Sequence, residues 1–268
     1  MFKVEYGTPI LGATVLENGI NFGIYGKNKK KVILKIYNSA ADVEPMAVFN
    51  LCSKKNRTGD IWHIFLVGAK DGTIYSWSID GSPDLLDPYA LSYSNNRNYE
   101  RRKAIAVKTD FFKEPHPNIP LNETIIYEVH IKLFTQNFNS LVQFPGTYKG
   151  FIEKIPYLKD LGITAVEFLP VYEWDDFTGR YDTNNTLLKN VWGYNPIGFF
   201  APTKKFATNQ TLNNYDEVFE FKELVKELHK HGIEVLLDVV YNHTAEGGNG
   251  GKLFNFKAMG NDTFYMLE

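Results

Sequence analysis

Apolar positions along the chain follow two different periods, and the change between them divides it. In the first third, INFGIY (Ile20 to Tyr25), KVILKIY (Lys31 to Tyr37), IWHIFLV (Ile61 to Val67) and TIYSWSID (Thr73 to Asp80) are short runs rich in β-branched and aromatic residues. Gly, Asn, Asp and Lys clusters separate them, and Val32, Leu34 and Ile36 fall on one face of their run. Such strands at close spacing predict a small antiparallel β-sandwich. The basic run Lys27 to Lys31 is expected to be a solvated hairpin turn. Trp62 and Trp77 are expected in the core or at a domain interface, with an exposed sugar platform as the rival reading.

From Asp80 to Asn122 the pattern is irregular, with a polar stretch (Asn95 to Lys103) and the proline-rich KEPHPNIP, Lys113 to Pro120. Pro115, Pro117 and Pro120 exclude helix and predict a stiff extended connector. The predicted units are the sandwich over residues 1–112, a linker over 113–123 and a second domain over 124–268.

The second domain alternates strands with helical periodicity. TIIYEVHI (Thr124 to Ile131) reads as a strand, and Phe151, Ile152, Ile155, Leu158 and Leu161 keep helical spacing up to Gly162. Pro156 either kinks that helix or marks its first turn. ITAVEFLPV (Ile163 to Val171) is the next strand. A long connector, expected to lack regular structure, runs from Tyr172 to about Asn213. Asn214 is expected to cap a helix through His231, with Val218, Phe221, Val225 and Leu228 facing inward. The βαβαβ order predicts a parallel sheet with right-handed crossovers.

IEVLLDVVYNHT, Ile233 to Thr244, closes that unit. Its unbroken apolar start predicts a strand buried on both faces. A carboxylate there is costly to bury without a partner, so Asp238 marks either a site at the carboxyl end of a barrel strand or a structural ion pair. In the connector, Trp192 to Pro202 mixes aromatics, Gly and Pro with neither period and is expected to form a rigid aromatic wall. Asp175 and Asp176 read most simply as a solvated loop.

Composition narrows the function classes. The aromatic share of 15% suits sugar stacking as well as core filling. A net charge of −2 gives no electrostatic case for nucleic acid or anionic membrane. Cys52 is alone, which leaves no disulfide framework and no cysteine metal site. No apolar run reaches bilayer length and no signal-peptide h-region is apparent, so a cytoplasmic location is expected. Asp175, Asp176 and Asp182 lack the spacing of an EF-hand loop.

Three motifs in order, GTYKGFIEKIPYLKDLGITAVEFLPV (Gly146 to Val171), VWGYNPIGFFAP (Val191 to Pro202) and DVVYNHTAEG (Asp238 to Gly247), resemble the α-amylase superfamily of glycoside hydrolases. Within it they look most like glycogen debranching enzymes and isoamylases. Gly7 to Tyr25 and LLDPYA (Leu85 to Ala90) are similar to the sandwich module of that branch. The resemblance implies a (β/α)8 TIM barrel, hydrolysis of α-1,6-glucosidic branch linkages with retention, and no metal or cofactor. The implied partner is a branched α-glucan such as glycogen, amylopectin or limit dextrin. It makes Asp238 an ordering carboxylate of the site floor, His243 a sugar hydrogen-bonding group, Tyr194 a stacking platform and Asn242 a supporting polar group. Pullulanase and branching enzyme are the alternatives within the superfamily, and a non-catalytic glucan binder is the alternative outside it.

The resemblance also implies what to expect of this length. Thr124 to Ile131, Ile163 to Leu169 and Ile233 to Val239 match three strands of eight, and a complete barrel takes about 250 residues. The expectation is therefore the amino-terminal part of a longer enzyme, whose nucleophile and acid/base lie beyond Glu268, with the chain alone inactive. Glu167, mid-strand, and Glu246, on a Gly-rich loop, are not expected to substitute for them.

Overall fold

A computed structural model of the chain describes residues 2–96, 101–110, 115–248 and 250–267. The predicted boundary near residue 112, the first two residues of the proline-rich run and the middle of the Asn95–Lys103 stretch lie outside the described residues.

The first ten strands make the sandwich. One sheet holds β1 (Lys3–Glu5), β2 (Gly12–Leu16), β3 (Gly19–Tyr25), β6 (Arg57–Thr58) and β7 (Ile61–Val67); β7 and β3 are its centre. The other holds β4 (Val32–Tyr37), β5 (Ala47–Asn50), β8 (Ile74–Ile79), β9 (Ser92–Tyr93) and β10 (Ala104–Ile105). All pairings within both sheets are antiparallel. Val32, Leu34 and Ile36 are buried as their period-2 spacing predicts. Lys27 to Lys31 does turn, but β3 and β4 lie in different sheets, so it is a crossover between layers and not a hairpin. A hairpin would have required the two strands to pair, and each instead pairs elsewhere: β3 with β2 and β7, β4 with β5 and β8.

Trp62 and Trp77 are fully buried between the sheets. The indole Nε1 of Trp62 donates to the Gly26 carbonyl at 3.0 Å, and that of Trp77 reaches Asp87 at 3.4 Å. A ring with no exposed surface cannot stack on a sugar, so the platform reading of these two residues fails.

Asp87, from LLDPYA, is itself fully buried. It accepts from the Tyr75 hydroxyl and from the Tyr89 backbone N–H, each at 2.9 Å. Burial pushes its carboxyl up to about 6 in spite of those hydrogen bonds. The folded chain thus holds a proton here that the unfolded chain, with an ordinary Asp, releases near pH 4. The sign follows: this group's stabilisation is complete below about pH 4 and is lost as pH rises through about 6. Unfolding free energies from urea titrations are expected to rise on acidification from about pH 6.5 to 4.5, by about 2 kcal/mol from this group. Asp87→Asn is expected to flatten that slope, and an unchanged slope in the variant would refute the assignment.

The second unit contains a three-stranded parallel sheet in the order β11 (Ile126–Val129), β12 (Ala165–Phe168), β17 (Glu234–Leu237). Its helices are α1 (Ile131–Thr135), α2 (Tyr148–Ile152), α3 (Ile155–Asp160), α4 (Asp216–Lys230) and α5 (Phe256–Phe264). The single helix predicted around Phe151 to Leu161 is two short ones, with Pro156 in the first turn of α3, where its missing N–H costs nothing. The cap of α4 is Tyr215, one residue later than predicted. Asn214 still serves that turn, because its Oδ1 accepts the Asp216 N–H at 2.7 Å. Leu224, absent from the predicted stripe, is fully buried, while Phe221 and Val225 are only partly so.

Val129, Val166, Phe168 and Ile233 pack with Phe151, Leu224 and Leu228 in one core between sheet and helices. The prediction that Ile233 to Val239 is buried on both faces fails. Leu236 is 40% exposed and Leu237 47% exposed. β17 pairs with β12 on one side, and among the described residues no strand covers its other side. Burial on both faces requires layers and neighbours that a three-stranded sheet does not have.

The connector from Tyr172 to Asn213 is more regular than expected. β13 (Tyr172–Trp174) pairs with β16 (Pro196–Pro202), and β14 (Phe177–Tyr181) pairs with β15 (Leu187–Lys189). Register shifts along β13 and β16 explain why the segment shows no clean alternation. Ile197 and Ala201 of β16, with Phe254 and Met259 near and within α5, complete the sandwich core. The two units are thereby joined by shared packing. Gly198 is needed there: a Cβ on it would lie 2.1 Å from the hydroxyl of buried Tyr93.

Candidate functional site

At the carboxyl end of the parallel sheet, the backbone N–H of Asp238 donates to the Phe168 carbonyl at 2.9 Å, the last rung before β17 leaves the ladder. Asp238 is half-buried, not the deeply buried charge that its sequence context implies, because the strand end is open. Its partner comes from the connector. Gly193 adopts φ +91, a conformation that suits glycine, and a Cβ there would press on Pro170 at 2.9 Å. That turn delivers Tyr194, whose hydroxyl donates to Asp238 Oδ2. Burial raises the phenol above its ordinary range, and the hydrogen bond to Asp238 and the charges of Asp238 and Glu128 add to this. The phenol therefore stays protonated and serves as the donor.

His243 closes the group. Its Nε2 is 3.0 Å from the Tyr194 carbonyl oxygen, and its Nδ1 is 2.8 Å from Asn242 Oδ1. The ring is thus held at both nitrogens. Tyr194, Asp238, Asn242 and His243 all meet here, and Tyr194 keeps 38% of its surface exposed. A phenol face, a carboxylate and an imidazole converging at strand ends can present one apolar surface and several hydrogen-bonding groups to a polyhydroxylated ring.

Sequence reasoning missed two groups beside the cluster. Tyr172 is buried, and burial pushes its phenol up to about 12, with the Asp238 charge contributing. Its ring packs on Phe199 at 5.6 Å, and Phe199 packs on Tyr241 at 5.3 Å, which extends the aromatic wall. Glu128 stands in register with Glu167 on the neighbouring strand, which in turn faces Leu236. These positions alternate with the core residues Val129, Val166 and Phe168, so both carboxylates belong to the opposite sheet face. A period-2 count from those apolar neighbours would have placed both.

The other acids are committed to intramolecular partners. Asp175 is buried, against the expectation of a solvated loop, because Lys252 reaches it at 2.5 Å and the Phe177 N–H at 3.0 Å. Asp182 accepts backbone N–H groups of Asn184 and Thr186 in a tight turn. Glu246, on its Gly-rich loop, is also buried and accepts from the N–H groups of Phe254, Asn255 and Lys257 and from the Tyr265 hydroxyl. It anchors the start of α5. Among the described residues, no group of three or more His, Cys, Asp or Glu side chains is disposed to hold a metal ion.

Comparison with known proteins places the chain in a family. Residues 94–250 match the alpha amylase catalytic domain, and residues 10–90 match carbohydrate-binding module 48, the isoamylase N-terminal domain. Isoamylase 1, chloroplastic, of Arabidopsis thaliana is 36% identical over 302 residues, covering 99% of this chain and 38% of that protein. The glycogen operon protein GlgX homolog of Mycobacterium tuberculosis is 32% identical over 299 residues, covering 96% of this chain and 40% of that protein. The chain therefore spans about two fifths of the length of these relatives. Among solved structures, the catalytic module of the glycogen-degrading pneumococcal virulence factor SpuA, bound to an inhibitor, superposes with a TM-score of 0.72 at 26% identity, covering 90% of this chain and 39% of that one. A pullulanase of Group B Streptococcus in complex with maltotetraose shares the fold, with a TM-score of 0.71 at 24% identity, covering 89% and 34%. The chain belongs to the α-amylase family of glycosidases, with an isoamylase-type carbohydrate-binding module leading into part of the catalytic domain.

Proposed function

We infer that the chain is the glucan-holding amino-terminal portion of a debranching hydrolase that cleaves α-1,6 branch linkages of glycogen- or starch-like polymers with retention. The observation that carries this reading is the convergence of Tyr194, Asp238 and His243 at the ends of the parallel strands. The names of its relatives, an isoamylase and a glycogen operon protein, support the substrate class. A maltotetraose complex of a neighbour with the same fold supports the ligand. A cytoplasmic setting is part of the proposal, consistent with a single, exposed cysteine.

Residues 1–268 alone are proposed to bind glucan without cleaving it. Retaining hydrolysis needs two carboxyl groups about 5–5.5 Å apart, flanking the bond. The cluster contributes Asp238, which already accepts the Tyr194 hydroxyl. Glu167 lies one strand repeat below it, roughly 6.6 Å deeper along the sheet, and Glu128 stands level with Glu167. Titration calorimetry of the purified chain with maltohexaose is expected to show saturable binding that weakens at least about tenfold, or 1.4 kcal/mol, in Tyr194→Ala. Amylopectin is expected to release no reducing sugar. Turnover by the chain would overturn the inactive reading, and maltohexaose binding indifferent to Tyr194 would overturn the placement of the site.

A further inference from the structure

A cavity of about 930 Å³ is lined in part by the connector, from Trp174 to Val191. Arg102, Lys132, Lys189, Lys205 and Lys252 all line it, and Asp176 is the carboxylate in its wall. Two more carboxylates sit directly behind the cations. Glu173 contacts Arg102 at 2.6 Å and Lys205 at 2.5 Å, and Asp175 contacts Lys252 at 2.5 Å. Lys189 Nζ stands 3.5 Å from Asp176, so each of the three carboxylates is paired with at least one of the five cations. Arg102 is 6% exposed and Glu173 4%, so this charge is held in a rigid, poorly solvated wall. A concave, low-dielectric wall in which cations outnumber carboxylates favours an anion there.

The cavity also has features that suit a sugar. The Phe177 ring is half exposed, and the amide side chains of Asn190 and Gln210 line the same space. Phe177 carries Lys252 Nζ 5.0 Å from its ring centre, so an apolar face and a cation stand side by side. A phosphate monoester carries about −1.5 to −2 charges near neutral pH, and Arg and Lys are its usual partners.

We propose that this cavity binds a phosphate monoester of glucose, either as a free sugar phosphate or as a phosphoryl group borne on an α-glucan, at a site separate from Tyr194, Asp238 and His243. Lys132 and Lys189 stand at its exposed rim, and Lys189, 3.5 Å from Asp176, would turn with Lys132 toward the phosphoryl oxygens. The buried Arg102–Glu173–Lys205 group sets the potential behind them.

The test is calorimetric titration of the purified chain with glucose 6-phosphate, glucose and inorganic phosphate. Glucose 6-phosphate is expected to saturate, to bind at least about tenfold tighter than either part alone, and to weaken as salt rises from about 0.05 to 0.5 M. The double substitution Lys132→Gln and Lys189→Gln is expected to weaken it at least about tenfold while the unfolding midpoint and maltohexaose binding stay unchanged. Tyr194→Ala is expected to leave it unchanged. No saturation, equal binding of inorganic phosphate, indifference to the double substitution, or loss in Tyr194→Ala would each overturn the proposal. A phosphorylated maltodextrin then identifies the source: tighter binding than glucose 6-phosphate supports a phosphoryl group on the polymer, and weaker binding supports the free sugar phosphate.

Discussion

Glu173→Gln is expected to destabilise the chain by about 3–5 kcal/mol, the cost typical of removing one partner from a buried ionic group. Glu173 is 3% exposed and every oxygen is occupied. Oε1 takes Arg102 at 2.6 Å and Lys205 at 2.5 Å, while Oε2 accepts the Thr203 hydroxyl at 2.9 Å and the Lys204 N–H at 3.2 Å. Gln keeps the shape but removes the charge, and it turns an amide N–H₂ toward donors whichever way it sits. Arg102, buried beneath the cavity, would then lack its counter-ion on this side. The acid-side behaviour supplies an independent check. Burial pushes Glu173 up, but Lys205 and Arg102 outweigh it and bring the carboxyl down to about 2. Its stabilisation is therefore present above about pH 4.5 and is lost as pH falls toward 2, the opposite slope to Asp87. Urea unfolding of wild type and variant at pH 7 and pH 3 measures both effects. A variant within about 1 kcal/mol of wild type at pH 7 would show that the contacts compensate for one another.

Trp77→Ala is expected to cost about 3–5 kcal/mol, as large aromatic deletions in cores do, while leaving maltohexaose affinity of the folded chain unchanged. Trp77 is fully buried, its backbone pairs both ways with Leu85 at 3.0 and 2.7 Å, and its indole approaches Asp87 at 3.4 Å. Removing it opens a cavity between the sheets and takes one donor from a buried carboxylate. Trp77→Phe keeps most of the volume and is expected to fold at ordinary temperature, which allows the binding measurement. If the folded Phe variant lost glucan affinity, the sandwich would be the working surface and the strand-end site would not.

These two residues show why local sequence carries some conclusions and not others. Trp77 lies in a strand of strong β-propensity, and its burial follows from the dominance of large aromatics in small sandwich cores. Glu173 follows LPVY in a segment expected to lack regular structure, and its cations are Arg102, 71 residues earlier, and Lys205, 32 residues later. No spacing rule joins three residues from separate elements. Asp175 and Glu246 are hidden for the same reason: each looks like a loop carboxylate until Lys252 or the start of α5 arrives beside it.

Period and turn chemistry are short-range properties of the chain, so the sandwich strands and the βαβαβ order were legible in the sequence, whereas Tyr194, Asn242 and His243 were singled out by a family resemblance and not by any period. Tertiary structure alone decided that KNKKK crosses between sheets, that Leu236 and Leu237 face outward, that Tyr194 donates to Asp238, and that five cations surround one cavity. Burial and charge balance depend on which distant segment comes to lie alongside, and that is a property of packing, not of neighbouring residues.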